Sequence, residues 1–501
     1  MNKIISRIKN LIEFITIYQV MVFITLFYIF YPTNNSSLDA YAYAGDIKYA
    51  KNLFLPHHLI YNYFLYSLLK PFNLFFSDIN TLLFTKYINA FFQALNLIIF
   101  YKILAKLSIP KKETLLYIII IGFSFSLWRF GTENETYIIP ITFSLIGSFY
   151  FLNFLKTKYL KYILYSGFFA TIACLFHQIH FFWWFGLLIG TIFYSKKLKY
   201  ILVYSITALI VPLAYSLVLI FYNNQELSLN NLIHFVFFDF YSGSAKTEFG
   251  WNNLILIIIS SIRTFFQIHA NIYFLIRKNF LFVIPILFIF FSVFKVIKLV
   301  SRKGLLKRRK LNENPFIKTH LLIFILQFLF AIYAVGNVEF IIMIPFLIFL
   351  SLFVKYKINK TVLILLALNL FIWNFSYGIF PNHYYKYYND AVLVDFIINH
   401  PNDKFLVKND AVLNQFYYKT GMDNYKNILL LNQLKSKGEL YKLLSKNNIY
   451  TDIIGKPSIF NRGSITSKNK FNFNFNKFNK KFITSYKGLY GTSKIYQISK
   501  P

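Results

Sequence analysis

Apolar runs long enough to cross a lipid bilayer recur along this chain from residue 14 to residue 379. A membrane-spanning helix needs about 20 mostly apolar residues. Hydrophobic residues make up 57% of the 501 residues, although the formal net charge is +34. So basic a soluble protein would suggest nucleic-acid binding, but this apolar content argues against a nucleic-acid partner. The sequence therefore predicts a polytopic α-helical membrane protein.

The apolar runs predict eleven membrane-spanning helices, with twelve as the alternative. The predicted spans lie near residues 14–31, 82–101, 114–130, 137–155, 162–180, 181–194, 200–222, 279–297, 320–335, 339–354 and 361–379. Residues 253–276 are also apolar enough to cross, but they contain Arg263, Gln267 and His269. If they crossed, the basic stretch 301–310 would lie outside, against the positive-inside rule. We therefore predict that 253–276 is an outer-surface or re-entrant segment.

Lysine and arginine residues set the predicted orientation, because they stay on the cytoplasmic side of short loops. The predicted inner segments carry 25 of these residues, whereas the outer segments of the membrane part carry seven. The amino terminus is therefore predicted inside, and eleven crossings put the carboxyl terminus outside. We expect a multi-pass protein of a bacterial-type cytoplasmic membrane, with its active site on the extracytoplasmic face.

Of the twelve acidic residues of the membrane part, three lie in inner segments and nine lie outside or at outer span ends, and none is near a span's middle. Ion-coupled transporters usually need ionisable groups at that depth, so transport is disfavoured. Asp39 and Asp46 follow the first span. If Ser37 caps a helix there, their spacing of seven residues puts both carboxylates on one face. That face suits a general base and a second acid, although a merely solvated helix face is the alternative.

Nine further residues are candidates for substrate binding, because each carries a charged, imidazole or phenol group in or beside an outer loop. They are His57, His58, Arg129, Glu133, Glu135, Tyr137, His177, His180 and Glu339. Arg129 suits bidentate binding of phosphate. The spacing of His177 and His180 puts both on one helical face, as half of a metal site or as hydrogen-bonding groups for phosphate, Glu135 or a backbone carbonyl. We expect Glu339 to pair with Arg129 or a histidine.

No complete metal-ligand motif accompanies these histidines, so no metal site is predicted, and a divalent metal stays open as a cofactor. The single cysteine, Cys174, excludes a disulfide framework and a cysteine metal site. The chain also has no glycine-rich nucleotide loop, so a nucleotide-sugar donor is not indicated.

These residues, in this order, resemble the C-type glycosyltransferase (GT-C) superfamily of polytopic enzymes, which includes protein O-mannosyltransferases and lipid A aminoarabinose transferases. Asp39 stands where the family begins its first external loop with an acid, and Ala40 stands where a second acid often follows. The segment WRFGTENETYIIP is similar to the second external loop, with Glu135 and Tyr137 as the matches. CLFHQIH and GNVEFIIMIPF are similar to stretches of bacterial members.

The resemblance implies a GT-C-like fold that transfers a sugar from a polyprenyl-phosphate donor to an acceptor hydroxyl or amine. Asp39 is then the candidate base and Asp46 an orienting acid, while cations stabilise the departing phosphate. The implied phosphate contacts are Arg129, His57 and His58. Membrane lipid and the lipid-linked sugar are the expected partners, and the acceptor is open among protein, lipid and polysaccharide.

Two other functions stay open from the sequence. An envelope-polysaccharide polymerase or ligase would also use lipid-linked sugars, and Arg263 and Arg277 in a long late loop are the residues that favour it. A lipid or glycan transporter or flippase is the third possibility, although no convincing internal repeat supports it.

The apolar runs stop near residue 380, which predicts a transmembrane catalytic domain over 1–380 and a soluble extracytoplasmic α/β domain over 381–501. The tail alternates a helix to about His400, a strand at 404–408, a helix at 411–420 stopped by Gly421, a strand at 427–431, a helix near 433–447 and a strand at 450–454. Phe/Asn alternation predicts a strand at 471–482, and a hairpin through the Gly488–Gly491 turn would complete the sheet.

Overall fold

The computed structural model describes residues 2–76, 78–243, 250–268, 271–303, 306–309, 314–408, 410–423, 425, 427–434, 442–444, 449–457, 475 and 478–499. The chain divides into two compact units that are not consecutive in sequence. The first unit contains Met1–Pro32, Asn52–Ile79 and Leu83–Phe380. The second unit contains Thr33–Lys51, Asn80–Leu82 and Pro381–Pro501.

Seven helices in the described part of the chain are long and apolar enough to cross a membrane, so the protein is a multi-pass membrane protein. They are Thr81–Lys106, Ile138–Thr157, Leu198–Phe221, Phe280–Ser301, Asn314–Tyr333, Val338–Lys355 and Lys360–Tyr384. Lys111–Gly122 and Phe125–Gly131 form a pair bent by 62°, which gives an eighth span if the pair crosses as one. The predicted count of eleven or twelve crossings stays a prediction.

Three further apolar helices lie outside the seven spans. The first helix, Asn2–Phe30, has 29 residues and is apolar over Thr16–Phe30, whereas Leu160–Phe176 has 17 residues and Trp251–Phe265 has 15. The remaining helices outside the seven spans are Leu38–Tyr49, Tyr61–Phe72, Phe181–Ser195, Leu229–Val236, Phe238–Tyr241, Asn271–Lys278, Ala391–Asn399 and Ala411–Thr420. Residues 253–276, predicted to be an outer-surface or re-entrant segment, fall on two of these helices, and 269–270 lie outside the described residues. Leu306–Arg308 and Tyr356–Ile358 pair as a short antiparallel ribbon.

A five-stranded mixed sheet organises the second unit. Its strands are Lys404–Val407, Ile428–Leu430, Ile449–Thr451, Asn479–Gly488 and Gly491–Ser499. The first strand pairs in parallel with the second and third, while the last two form an antiparallel hairpin whose second strand joins the third. Parallel neighbours need a crossover connection, and Ala411–Thr420 lies in the one between the first two strands. Apolar clusters built around Phe405 and Leu406, neighbours on one strand, cover opposite sheet faces.

The predicted elements of the tail largely match this sheet. The strand at 404–407, the helix Ala411–Thr420 and the hairpin with its turn at 489–490 are confirmed. Gly421 ends that helix with a φ of +73°, a conformation that favours glycine. The strand predicted from residue 471 begins only at Asn479, and residues 471–474, 476 and 477 lie outside the described part. Most of the helix predicted at 433–447 lies outside it as well.

Candidate functional site

The first candidate group lies on a helix of the second unit, Leu38–Tyr49, which we call the Asp39 helix. Ser37 caps it as predicted, because the serine hydroxyl accepts a hydrogen bond from the Ala40 backbone N–H at 3.0 Å. Asp39 lies in the first turn and is exposed, whereas Asp46, two turns later on the same side, is 5% exposed. The Tyr417 hydroxyl donates to Asp46 Oδ1 at 3.0 Å. The two acids therefore occupy different environments.

The second candidate group lies in the first unit, in the tight connection between Phe125–Gly131 and Ile138–Thr157. Glu133 is 1% exposed and joins two cations. Arg129 Nη1 lies 2.9 Å from one carboxylate oxygen, and Lys86 Nζ lies 3.6 Å from the other. Burial raises the pKa of Glu133, but the charges of Lys86 and Arg129 outweigh it, together with hydrogen bonds from Arg129 and the Asn134 backbone N–H, and hold the pKa below its usual value. The carboxylate therefore stays ionised and fixes both cations.

A buried amide holds this connection in shape. The Asn89 side-chain nitrogen donates to the backbone carbonyls of Glu133 and Glu135, at 2.7 and 3.0 Å. The Tyr61 hydroxyl donates to Asn134 Oδ1 at 3.0 Å. Glu135 is 4% exposed, and its charge lies close enough to Tyr61 to raise the pKa of that phenol further, beyond the larger effect of burial. The connection is therefore preorganised by neutral hydrogen bonds around its charged groups.

Glu339 also belongs to this group, although it comes from a distant part of the chain. The Tyr137 hydroxyl donates to Glu339 Oε2 at 3.1 Å, and the Asn337 side-chain amide reaches the same oxygen at 3.2 Å. Arg263 lies close enough to Arg129 and Glu339 to interact electrostatically with both. The structure thus gives Glu339 a phenol partner that the sequence did not suggest. It also brings a guanidinium from the 253–276 segment into the group.

The histidines form a neighbouring cluster. The His57 and His58 rings are 4.1 Å apart, the His57 and His177 rings 6.4 Å, and the Tyr137 and His177 rings 4.9 Å. His57 Nδ1 lies 3.0 Å from Asp239 Oδ2, and that hydrogen bond lowers the pKa of Asp239. Burial, with weaker contributions from neighbouring imidazoles, holds the pKa values of His58 and His177 well below the usual range. Both are therefore neutral near pH 7.

The predicted span over 162–180 is wrong at its end. The helix stops at Phe176, and His177 is extended, with φ of −160° and ψ of 123°. His177 and His180 therefore do not share the face of one helix. His180 Nδ1 lies 2.7 Å from the Ser144 hydroxyl, and burial lowers its pKa to about 3. His177 Nδ1 accepts from the Ile179 backbone N–H at 3.2 Å.

In the described ranges, no group of three or more His, Cys, Asp or Glu side chains is arranged to hold a metal ion.

The structure adds partners to the candidate residues that the sequence did not reveal, and chain spacing explains why. Lys86, Asn89 and Tyr61 precede the connection they support, and Asp239 follows it by a hundred residues. Only one signal was available, because Lys86 and Arg263 are cations within apolar helices, where an ion usually has a partner.

No family model matches the sequence, and no curated protein matches it. Among solved structures, the chain is similar to ArnT from Cupriavidus metallidurans bound to undecaprenyl phosphate, with a TM-score of 0.48 and 8% identity over 96% of this chain and 97% of ArnT. It is also similar to the Archaeoglobus fulgidus oligosaccharyltransferase in its apo form, with a TM-score of 0.44 and 13% identity over 80% of this chain.

The chain spans 63% of the length of that archaeal enzyme, less than two thirds. For the complex of the same enzyme with zinc and sulfate, the TM-score is 0.43 and the identity 13%, over 86% of this chain and 68% of the enzyme. ArnT and the oligosaccharyltransferase are both members of the C-type glycosyltransferase superfamily that the sequence motifs resemble.

Proposed function

We propose that the chain is an integral-membrane glycosyltransferase that moves a sugar from a polyprenyl-phosphate donor to an acceptor on the outer face of the membrane. The observation that carries this proposal is the group of three cations, Lys86, Arg129 and Arg263, beside two acids at the ends of apolar helices. Charged side chains among apolar helices are costly and are kept for function. The proposed ligand of these cations is a lipid-linked phosphate.

The donor phosphate is assigned to these cations. Arginine presents a planar fork of N–H groups that matches phosphate geometry, and lysine adds a compact charge. Glu133 holds Arg129 and Lys86 through opposite carboxylate oxygens, so both are oriented before the donor arrives. Preorganised cations stabilise the negative charge that develops on the phosphate as it leaves, without a further cost of reorganisation.

Asp39 is the proposed base. The acceptor oxygen or nitrogen attacks the anomeric carbon, its proton passes to the Asp39 carboxylate, and the bond between the sugar and the phosphate breaks with its electron pair on the phosphate. The exposed position of Asp39 in the first turn of its helix makes the carboxylate available to an acceptor. Asp46 is assigned the orienting role. No step is assigned to a metal.

The proposed topology follows from the distribution of basic residues. We assign the amino terminus to the cytoplasm, the donor site to the outer face, and residues 381–501 to an extracytoplasmic domain. The membrane is assigned as a bacterial-type cytoplasmic membrane. Residues 1–380 form the proposed catalytic domain. The Asp39 helix belongs to this range by sequence, although it packs in the second unit.

An Asp39→Asn variant tests the proposed base. Envelope glycans and polyprenyl-linked sugars are compared in a deletion strain, in the strain restored with wild type, and in strains carrying Asp39→Asn or Asp395→Asn. We expect Asp39→Asn to lower transfer by about a hundredfold or more, because a general base contributes about 10²- to 10⁴-fold. The donor should accumulate, while Asp395→Asn, an exposed acid elsewhere in the second unit, should restore the glycan.

Other outcomes favour the other functions. Full restoration by well-expressed Asp39→Asn would remove Asp39 as the base. A deletion strain that still makes the glycan but in shorter chains would point to a polymerase. A lipid-linked glycan trapped on the inner leaflet would point to a flippase.

A further inference from the structure

The Asp39 helix packs within the second unit against Ala411–Thr420, which we call the Tyr417 helix. At its start, the Asn414 side-chain amide donates to the Leu38 carbonyl at 3.1 Å. At its end, the Tyr49 hydroxyl reaches the carbonyls of Tyr418 and Lys419, each at 3.2 Å. Both ends of the Asp39 helix are therefore tied to backbone or side-chain groups of the Tyr417 helix.

The middle of the Asp39 helix holds the closest contact. The Tyr417 ring lies on the backbone at Gly45, where an added Cβ would come within 2.6 Å of ring atom Cε1. Only glycine allows the ring to approach this closely. The Tyr417 hydroxyl then reaches Asp46 Oδ1 at 3.0 Å, and both side chains are largely buried. This hydrogen bond joins two buried side chains in the middle of the helix pair, between the hydrogen bonds at its two ends.

A hydrogen bond can fix the rotation of a helix about its axis, which apolar packing alone does not fix. Apolar contacts are non-directional, so they allow a helix to turn by a few degrees about its axis. A hydrogen bond from a phenol to a carboxylate weakens steeply when its angle changes. Asp46 and Asp39 are separated by seven residues, close to two full turns, so a rotation at Asp46 moves Asp39 by the same angle.

We propose that Tyr417 is a positioning residue for Asp39, because its hydrogen bond to Asp46 sets the rotation of the Asp39 helix. The inference rests on the proposed role of Asp39 as the base. It gives the tail of the chain a part in the reaction through the position of Asp39. It also assigns Asp46 its orienting role through a named contact.

The test compares Tyr417→Phe with a matched variant in the full-length protein in lipid nanodiscs. The matched variant is Tyr486→Phe, because the Tyr486 hydroxyl also donates to a buried carboxylate in the second unit, Asp452 Oδ2 at 2.9 Å. Both variants remove one phenol oxygen and one buried hydrogen bond. Only Tyr417→Phe removes a contact with the Asp39 helix.

Two measurements are made on each variant. Hydrogen exchange of the peptide covering residues 38–49 should be at least about fivefold faster in Tyr417→Phe than in wild type and unchanged in Tyr486→Phe. Transfer is measured with the polyprenyl-linked sugar fraction that accumulates in the deletion strain. We expect Tyr417→Phe to lower turnover about tenfold, since a small misplacement of a catalytic group is costly.

A third measurement separates positioning from general loss of folded protein. In an Asp39→Asn background the base is already absent, so Tyr417→Phe should cause no further fall in the residual transfer. A variant that merely unfolded part of the protein would lower the residual transfer by the same factor as in wild type. Equal factors in the two backgrounds would overturn the inference.

The remaining outcomes are also decisive. Unchanged exchange at residues 38–49 in Tyr417→Phe, or equally faster exchange in both tyrosine variants, overturns the inference. So does faster exchange at 38–49 with full turnover. If wild type transfers no sugar, the proposed function fails instead, and the exchange result alone then shows whether Tyr417 fixes the helix.

Discussion

Three buried imidazoles, His58, His177 and His180, crowd the candidate site in their neutral form. Burial is the main cause in each case, and the nearby His57 adds to it for His58 and His177. The pKa of His180 is lowered to about 3, so this imidazole accepts a proton in the folded protein only under strongly acidic conditions. In the unfolded chain each would titrate near pH 6.5.

Acidification should therefore destabilise the first unit. Below about pH 6.5 the unfolded chain binds protons that the folded chain does not, so the free energy of unfolding falls as pH falls. Each histidine contributes at most about 1.4 kcal/mol per pH unit, and for His180 the fall continues toward the pKa of about 3. The check is the unfolding temperature in nanodiscs at several pH values.

A substitution isolates one of these groups. His180→Asn should reduce the dependence of the unfolding temperature on pH, since asparagine has no proton to gain. His234→Asn changes an exposed imidazole and should leave the dependence as in wild type. Identical pH profiles for His180→Asn and wild type would contradict this account.

Gln178 joins three elements around the histidine cluster. Its backbone N–H donates to the His57 carbonyl at 3.0 Å. Its side-chain nitrogen reaches the carbonyls of Pro56 and Val236, at 3.1 and 2.9 Å, and the Tyr215 hydroxyl at 2.9 Å. One side chain thus links the His57 loop to Leu229–Val236, the helix that leads to Asp239.

Gln178→Leu should loosen that link. The backbone bond to His57 survives, but the side-chain donors are lost and the carbonyls lose a partner, at a cost of about 1–3 kcal/mol. We expect faster hydrogen exchange at residues 52–60 and 229–236 and a lower unfolding temperature. Gln225→Leu, at an exposed glutamine, is the control. Exchange at 229–236 that matches wild type would refute this role.

Elements with local signals were predictable, and those fixed by distant contacts were not. Ser37 as a cap, Gly421 as a helix stop and the hairpin turn are all written within a few residues. The break at His177 has no such signal, because the partners of Gln178 that hold this turn, Pro56, His57 and Val236, lie far away in the chain. Arg129 and Glu133 are four residues apart and were both candidates, whereas the Tyr137–Glu339 contact spans 202 residues and was missed.

The number of crossings, eleven or twelve, determines on which side of the membrane the tail of the chain lies. With eleven, the second unit is outside. With twelve, 253–276 crosses and residues 381–501 lie inside, across the membrane from the Asp39 helix with which they pack. That packing favours eleven crossings, and so does charge, because twelve crossings put the basic stretch 301–310 outside.

Cysteine labelling of intact cells tests this topology. In a Cys174→Ser background, a membrane-impermeant maleimide should label Asp403→Cys before permeabilisation and Lys197→Cys only afterwards. Both positions lie outside the spans, and Lys197 lies in a predicted inner loop. Protection of Asp403→Cys together with Lys197→Cys would place the tail inside and would contradict both this topology and the packing of the tail against the Asp39 helix.

The hydrogen bond between Tyr417 and Asp46 also has a consequence for biosynthesis. The two residues are 371 positions apart, so the ribosome makes the Asp39 helix long before its partner. At about 5–20 residues per second, the delay is roughly 20–70 s. A nascent chain would be in the membrane, among lipid-linked sugars, throughout that interval. Because the contact forms late, the proposed transferase would reach its active arrangement only after residue 417 has been made, and a chain interrupted earlier would lack this contact.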